Sequence, residues 1–405
     1  MAPHTGNRRA ADLALFGGPK LFAVPKSTSN LVQPDFERFL DYSRVAYGSP
    51  DAAPSTVTAQ FEARFAAFHE ARHCVAFCSG FWALATSIVA LARPGRREVL
   101  MPSLTYRRMA DVVAWTGLMP RFCEVDPHTL AISAATAEPC IGDDTALLLA
   151  VHPIVNCCDA EGLANLAARH GLPLLIDGVE SVYERIGMTD GSSRKVGSFG
   201  DAECFSLHAS KLVNGFEGGY VTTNDSALAA ALVALRDASA TRPGALDARL
   251  PDVHAAMALA NLDGLDAQVA SNHARYAHYR EKLAAVPGIR LLTFDESQPT
   301  SYKNIVVELQ DDWPLSRALT IGLLNAENIL ARVYYAPPLH SKPMAYPHVP
   351  ADLPVTDRLA ERFVLLPCGD FVTLEDIDAV VELLALIHRH ADEIRAHAAN
   401  EEASR

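Results

Sequence analysis

The stretch Cys204-Phe205-Ser206-Leu207-His208-Ala209-Ser210-Lys211, followed shortly by Asn214-Gly215-Phe216-Glu217-Gly218-Gly219, decides how this chain is read. An apolar strand, a lysine and a glycine-rich turn stand there in succession. A lysine at that place has little packing purpose, but it has a chemical one if it forms a Schiff base with an aldehyde cofactor. Upstream, Leu174-Leu175-Ile176-Asp177 ends a second apolar run in a carboxylate. That is the group a pyridinium nitrogen needs, because it keeps the nitrogen protonated and the ring able to accept electrons. Alone, Asp177 could equally cap the turn that follows. Together with Lys211 it points to pyridoxal 5'-phosphate (PLP).

Working outward, apolar runs at 75–78, 98–101, 121–125, 146–151, 173–176, 204–207 and 220–223 alternate with helical patterns at 82–92, 108–115 and 161–170. The third helix stops at Gly171, just before Pro173, as a C-cap glycine would make it. Strands buried on both faces and separated by helices imply a mostly parallel sheet with helices on each side. Ligands of such sheets gather beyond the carboxyl ends of the strands, where Asp177 and Lys211 fall. After Asp225 the pattern changes. Helices are expected at 227–236, 252–262 and 266–286, strands at 304–309 and 329–334 with a helix between them, and a terminal helical stretch at 374–396 opened by Thr373. The expected division is a flexible arm over 1–20, a large cofactor-binding domain over 21–245, and a smaller α+β domain over 246–405.

A net charge of −13 argues against a nucleic-acid surface, and 49% apolar with 20% charged residues is ordinary for a soluble enzyme. The longest apolar run, 227–235, is too short to cross a bilayer. Eight cysteines without metal spacing or a disulfide framework indicate reduced thiols in a cytoplasm. No zinc pair, phosphate-binding P-loop or dinucleotide fingerprint is present, and no metal is expected.

Ser79-Gly80-Phe81-Trp82 follows a strand and opens a helix, so free N–H groups and the helix dipole form an anion site there; the plain alternative is a simple turn. Ser206 could add a hydroxyl to it. Tyr106, just past another strand end, could stack on a cofactor ring, or could be a core tyrosine.

These residues resemble the DegT/DnrJ/StrS family of nucleotide-sugar aminotransferases, within the aspartate-aminotransferase superfamily. The similarity runs from about Leu13 almost to the C-terminus. Residues 73–84 resemble the family's lead-in to a Ser-Gly-Thr phosphate turn, and 101–106 with 120–127 its "PSFTF … PVFVDVDP" stretch. Residues 170–181 are similar to "HGLPVIEDAAQS", and 197–225 to "GTFGDVGCFSFHATKN … EGGAVVTND", the most specific of these motifs. Residues 335–340 look like the "PPLH" element, and 365–367 with 373–377 like "LPL … LTEEDI".

The resemblance implies the three-layer fold type I of PLP-dependent transferases, with a smaller C-terminal α+β domain. Carried over, Lys211 is the Schiff-base lysine, Asp177 the pyridinium partner and Tyr106 the stacking aromatic. Gly80, Phe81, Trp82 and Ser206 hold phosphate, Glu180 lies by the cofactor's phenolic oxygen, and His340 and His152 face the substrate. Family members are homodimers with shared active sites, so a homodimer is expected.

Four departures from the family stand out. Phe81-Trp82 replaces Thr-Ala, placing bulky rings near the pocket. Glu180 replaces Gln or His, and a carboxylate beside a phenolate repels it unless one holds a proton. Asp247 replaces an asparagine that reaches the neighbour's phosphate. Residues 151–155 have lost the glycine of "VHLYG". The function implied is transfer of an amino group from glutamate or glutamine to a keto-sugar, with a nucleotide-linked 4-keto-6-deoxy sugar the nearest subgroup. Two rivals are PLP-dependent elimination, replacement or dehydration on a non-sugar substrate, and a non-catalytic relative.

Overall fold

Seven runs of consecutive apolar residues become the seven strands of one sheet: β1 (His73–Phe77), β2 (Glu98–Pro102), β3 (Met119–Cys123), β4 (Thr145–Val151), β5 (Leu174–Asp177), β6 (Ala202–Ser206) and β7 (Gly219–Thr223). The computed structural model describes residues 8–47, 56–241 and 246–403. The strand order is β1-β7-β6-β5-β4-β2-β3. Neighbours from β6 through β3 run parallel, whereas β7 lies antiparallel to both β6 and β1.

Each strand is buried on both faces because successive side chains point to opposite sides of the sheet. Val99, Leu147, Leu149 and Leu175 meet the helix Gly80–Leu91 through Ala83, Leu84 and Ile88. Leu148, Ala150, Leu174 and Ile176 meet the helix Ala160–His170 through Leu163 and Leu166. That second helix ends at Gly171 in the left-handed conformation (φ 59°), as the sequence predicts.

The smaller unit is a four-stranded antiparallel sheet, β8 (Ile289–Leu291), β9 (Ile305–Leu309), β10 (Arg332–Val333) and β11 (Phe363–Leu366), in the order β8-β9-β11-β10. The helices Leu265–Leu283 and Leu374–Arg389 pack on it.

Four expectations are corrected. Residues 8–20 are no loose arm: Ala10 and Leu13 are fully enclosed in the small unit's core, and Arg8 pairs with Glu327 at 3.0 Å. Residues 1–7 of that expected arm lie outside the described residues. The helix Asp252–Asp263 packs Ala255, Ala256, Ala258 and Leu259 against Phe61 and Phe65, so it goes with the large sheet and not with the 246–405 unit. The strand expected over 329–334 is two short pieces, Ile329–Leu330 pairing with Lys26–Ser27, and β10 pairing with β11. The terminal helix breaks at His390 and resumes at Ala391.

Candidate active site

Three strand ends converge. Asp177, the last residue of β5, lies opposite Cys204 of β6. Gly219, at the start of β7, lies opposite both Phe77, which ends β1, and Ser206, which ends β6. The turn after β1, the carboxylate after β5 and the lysine turn after β6 therefore face one another at one end of the sheet.

The glycines are required by close approach. A Cβ on Gly80 would meet the Ser206 Cβ at 2.9 Å and its Oγ at 3.1 Å, and one on Gly219 would meet Gly80 Cα and N at 2.6 Å. Ser79 caps the helix Gly80–Leu91, its hydroxyl accepting the Trp82 N–H at 3.3 Å. Among the described residues the N–H groups of Gly80 and Phe81 have no protein acceptor, which leaves the helix N-terminus able to receive an anion. The rings of Phe81 and Trp82 do not crowd this cradle. They pack edge-on against each other at 5.1 Å and against Trp115 at 5.9 and 4.8 Å; of the two, Phe81 keeps a free backbone N–H, while that of Trp82 is taken by Ser79.

Asp177 caps a turn and still has capacity for a ligand. Its Oδ1 accepts the Val179 N–H at 3.0 Å, while Oδ2 has no protein donor among the described residues. Burial pushes its pKa up to about 6, against the opposing pull of the Val179 N–H and the Lys211 charge. A cationic ring nitrogen would relieve that burial cost, so the donor set fits a pyridinium, and the glycine cradle with its free amides fits a phosphate.

Lys211 sits in a turn closed by its own N–H to the His208 carbonyl at 2.8 Å. Its Nζ donates to Glu180 Oε1 at 2.6 Å. Burial pulls the lysine pKa down, but the Glu180 carboxylate outweighs burial and raises it. The repulsion expected of Glu180 is answered by a residue the sequence did not single out. Lys303 Nζ donates to Glu180 Oε2 at 2.5 Å, and Asn304 Nδ2 to the same oxygen at 3.3 Å. Burial alone would raise the Glu180 pKa; its two ammonium neighbours instead hold it well below the usual carboxylate range. Tyr335 was also missed: burial holds its phenol well above the usual pKa, and the neighbouring Glu180 and Asp177 carboxylates add to the rise. A positive φ of 45° on this non-glycine residue is a structural signal that no sequence pattern carries.

The remaining sequence candidates divide. Tyr106 is 46% exposed, which excludes the core-tyrosine alternative. His340 is fixed by Ser103, with Nδ1 to Oγ at 2.7 Å, and its Nε2 lies 3.4 Å from Asp357. His152 is corrected: its ring is 0% exposed, takes the Cys158 N–H on Nδ1 at 3.1 Å, and holds Nε2 3.8 Å from the equally buried Glu203, so it cannot face a substrate. Asp247 turns to Arg249 at 2.9 Å, so its charge is answered at the surface; Gly244, which begins the same expected motif, lies outside the described residues.

Known proteins resemble this chain in sequence and fold. Residues 53–385 match the model of the DegT/DnrJ/EryC1/StrS aminotransferase family. The chain is 31% identical to a GDP-perosamine synthase of Caulobacter vibrioides, over 80% of this chain and 88% of that protein. It is also 31% identical to the erythromycin biosynthesis sensory transduction protein EryC1 of Saccharopolyspora erythraea, over 80% and 88%. Among solved structures, DesI in the presence of its TDP-sugar product aligns with a TM-score of 0.85 and 33% identity, over 96% of this chain and 99% of that one. With the fold, the site chemistry and a family match across most of its length in agreement, this chain belongs to the DegT/DnrJ/EryC1/StrS aminotransferase family, and its cofactor is PLP.

Proposed function

We propose that this protein moves an amino group from an amino acid, glutamate or glutamine, to a nucleotide-linked keto-sugar, of which the 4-keto-6-deoxy sugars are the best candidates. The observation that carries the reaction type is the convergence of Lys211 and Asp177 with the Gly80–Gly219 cradle at one end of the sheet. The sugar class is supported by the GDP-perosamine synthase at 31% identity and by DesI, whose structure was analysed in the presence of its TDP-sugar product.

When bound, PLP supplies an aldehyde for Lys211 and a ring that draws electrons from the carbon losing its proton. The Gly80 and Phe81 amides and the Ser206 hydroxyl would bind its phosphate, and Asp177 would hold negative charge at the ring nitrogen. With the cofactor bound, Lys211 Nζ would be the base that takes the proton from the donor's α-carbon and the acid that hands it back. The same nitrogen would carry a proton in the reverse sense for the acceptor. Tyr106 covers a ring face, and His340 shapes the substrate end.

The rival chemistries have lost their grounds. Glu180 is neutralised by two lysines, the Phe81 and Trp82 rings pack outside the cradle, and Asp247 is paired with Arg249. The active unit is a homodimer in the cytoplasm, a compartment supported by eight free cysteines. No helix among the described residues is long and apolar enough to cross a membrane.

The test is to load the protein with pyridoxamine phosphate and add nucleotide-linked keto-sugars, free keto-sugars and keto acids separately. Return of the yellow absorbance with the nucleotide-linked sugars is expected. Return with keto acids alone would overturn the sugar assignment.

A further inference from the structure

Glu180 stands between two lysines, and only one of them is needed for chemistry. Lys211 approaches Oε1 at 2.6 Å and Lys303 approaches Oε2 at 2.5 Å. The Lys303 side chain is 4% exposed, and among the described residues its ammonium has no other partner. A buried ammonium is costly unless paired, so this one is held in place by the carboxylate it serves. Three charges of alternating sign therefore lie in a row, Lys303–Glu180–Lys211, with the inner end fixed in protein and the outer end, 22% exposed, opening on the cofactor site.

From this geometry we infer that Lys303 is a positioning residue acting through Glu180: it fixes the carboxylate and offsets its charge, and so sets how tightly the nitrogen of Lys211 keeps its proton both free and joined to the cofactor. The inference rests on Lys211 being the cofactor's anchor. Its physical basis is the order of the charges. A free Lys211 must shed a proton before it can attack an aldehyde, and a lone carboxylate 2.6 Å away would oppose that loss. Lys303, on the far oxygen, draws part of the carboxylate's field to itself. Burial and the like charge of Lys211 pull the Lys303 pKa down, and Glu180 opposes both.

The other groups facing this row do not substitute for Lys303. Asp177 is a second carboxylate on the Lys211 side, while Tyr106, Tyr334 and Tyr335 are phenols whose neutral form adds no charge. Burial pushes the thiol of Cys368, beside Lys303, up to about 11, so it too is neutral at physiological pH. Asn304 donates to the same Glu180 oxygen as Lys303 but carries no charge. Lys303 is thus the cation that faces Glu180 and takes no part in the covalent chemistry.

The experiment is a pH titration of the visible absorbance of the PLP-loaded protein, with borohydride trapping to confirm the Lys211 adduct. Lys303→Met leaves Glu180 uncompensated, and the titration midpoint should rise by on the order of one pH unit. Glu180→Gln leaves Lys303 as a naked neighbouring cation, and the midpoint should fall by a similar amount. Lys303→Arg should restore the wild-type midpoint, and the double variant should lie between the two singles. If Lys303→Met and Glu180→Gln only loosen the cofactor, or shift the midpoint in the same direction, the inference is wrong. If the wild-type protein forms no adduct at Lys211, it is the cofactor assignment that fails.

Discussion

Carboxylates in the two units show how differently the same chemical group can be used. Glu327, in the small unit, is 1% exposed, and each of its oxygens is filled. Oε1 accepts from Arg8 at 3.0 Å and the Ala14 N–H at 2.8 Å; Oε2 accepts from Arg8 at 3.1 Å and the Leu21 N–H at 2.6 Å. Nothing is left over for a ligand. At the end of the large sheet, Asp177 keeps one oxygen free of protein donors, and Glu180 depends on Lys211, which must leave it to react. Complete satisfaction marks a structural anchor. A vacancy or a removable partner marks a site that waits for something else.

The comparison can be broken most sharply at Lys211. Lys211→Ala should abolish the borohydride-trapped adduct and lower single-turnover amino transfer by about 10^2–10^4-fold or more, with the thermal melt of the cofactor-free protein little changed. Full turnover in that variant would remove the site from the mechanism altogether.

At the other carboxylate the expected effect is on folding. Glu327→Ala strands the Arg8 guanidinium and two backbone N–H groups, and should cost about 3–5 kcal/mol in a denaturant melt. Its cofactor titration should match the wild type. A variant that folded normally but lost cofactor would show that the two regions are not as separate as their hydrogen bonds indicate.

The smallest effect sharpens the contrast through pH. Burial raises the Asp177 carboxyl from 3.8 to about 6 in the folded protein. A raised folded value means that the group's favourable contribution is fully present below pH 3.8 and is lost as pH rises through about 6. Asp177→Asn should therefore stabilise the cofactor-free protein at pH 7.5 by about 1–3 kcal/mol and by nothing near pH 3.5. Added PLP should reverse the order, stabilising the wild type more than the variant. Urea melts at the two pH values decide it, and an equal difference at both would mean that the carboxylate is not strained by burial.

Much of the large sheet was legible because its strands are buried on both faces, so each appears as an unbroken apolar run ended by a turn or a functional residue. Lys211, Asp177 and Gly80 were legible for a related reason: a lysine, an acid and a close-packed glycine stand where apolar packing alone would not put them. The antiparallel course of β7 was not legible, since strand direction depends on partners far away in the chain. Lys303 was hidden as one basic residue before the strand Ile305–Leu309, with nothing local to tie it to Glu180, 123 positions earlier. His152 misled for the opposite reason. It follows β4 at a strand end, as a ligand-facing residue would, but packing of the loop that follows encloses it completely. Residues 8–20 looked unattached because their anchor, Glu327, is more than 300 residues away.

The sequence by itself determined most strands and helices of the large sheet and pointed to a lysine and a carboxylate at strand ends, because those features depend on side-chain periodicity and on turns spanning a few residues. Only the folded chain decided which charges meet. Ion pairs act over a few ångströms in space without regard to separation along the chain: Glu180 meets Lys303 where the small unit packs on the large one, and Glu327 meets Arg8 inside the small unit.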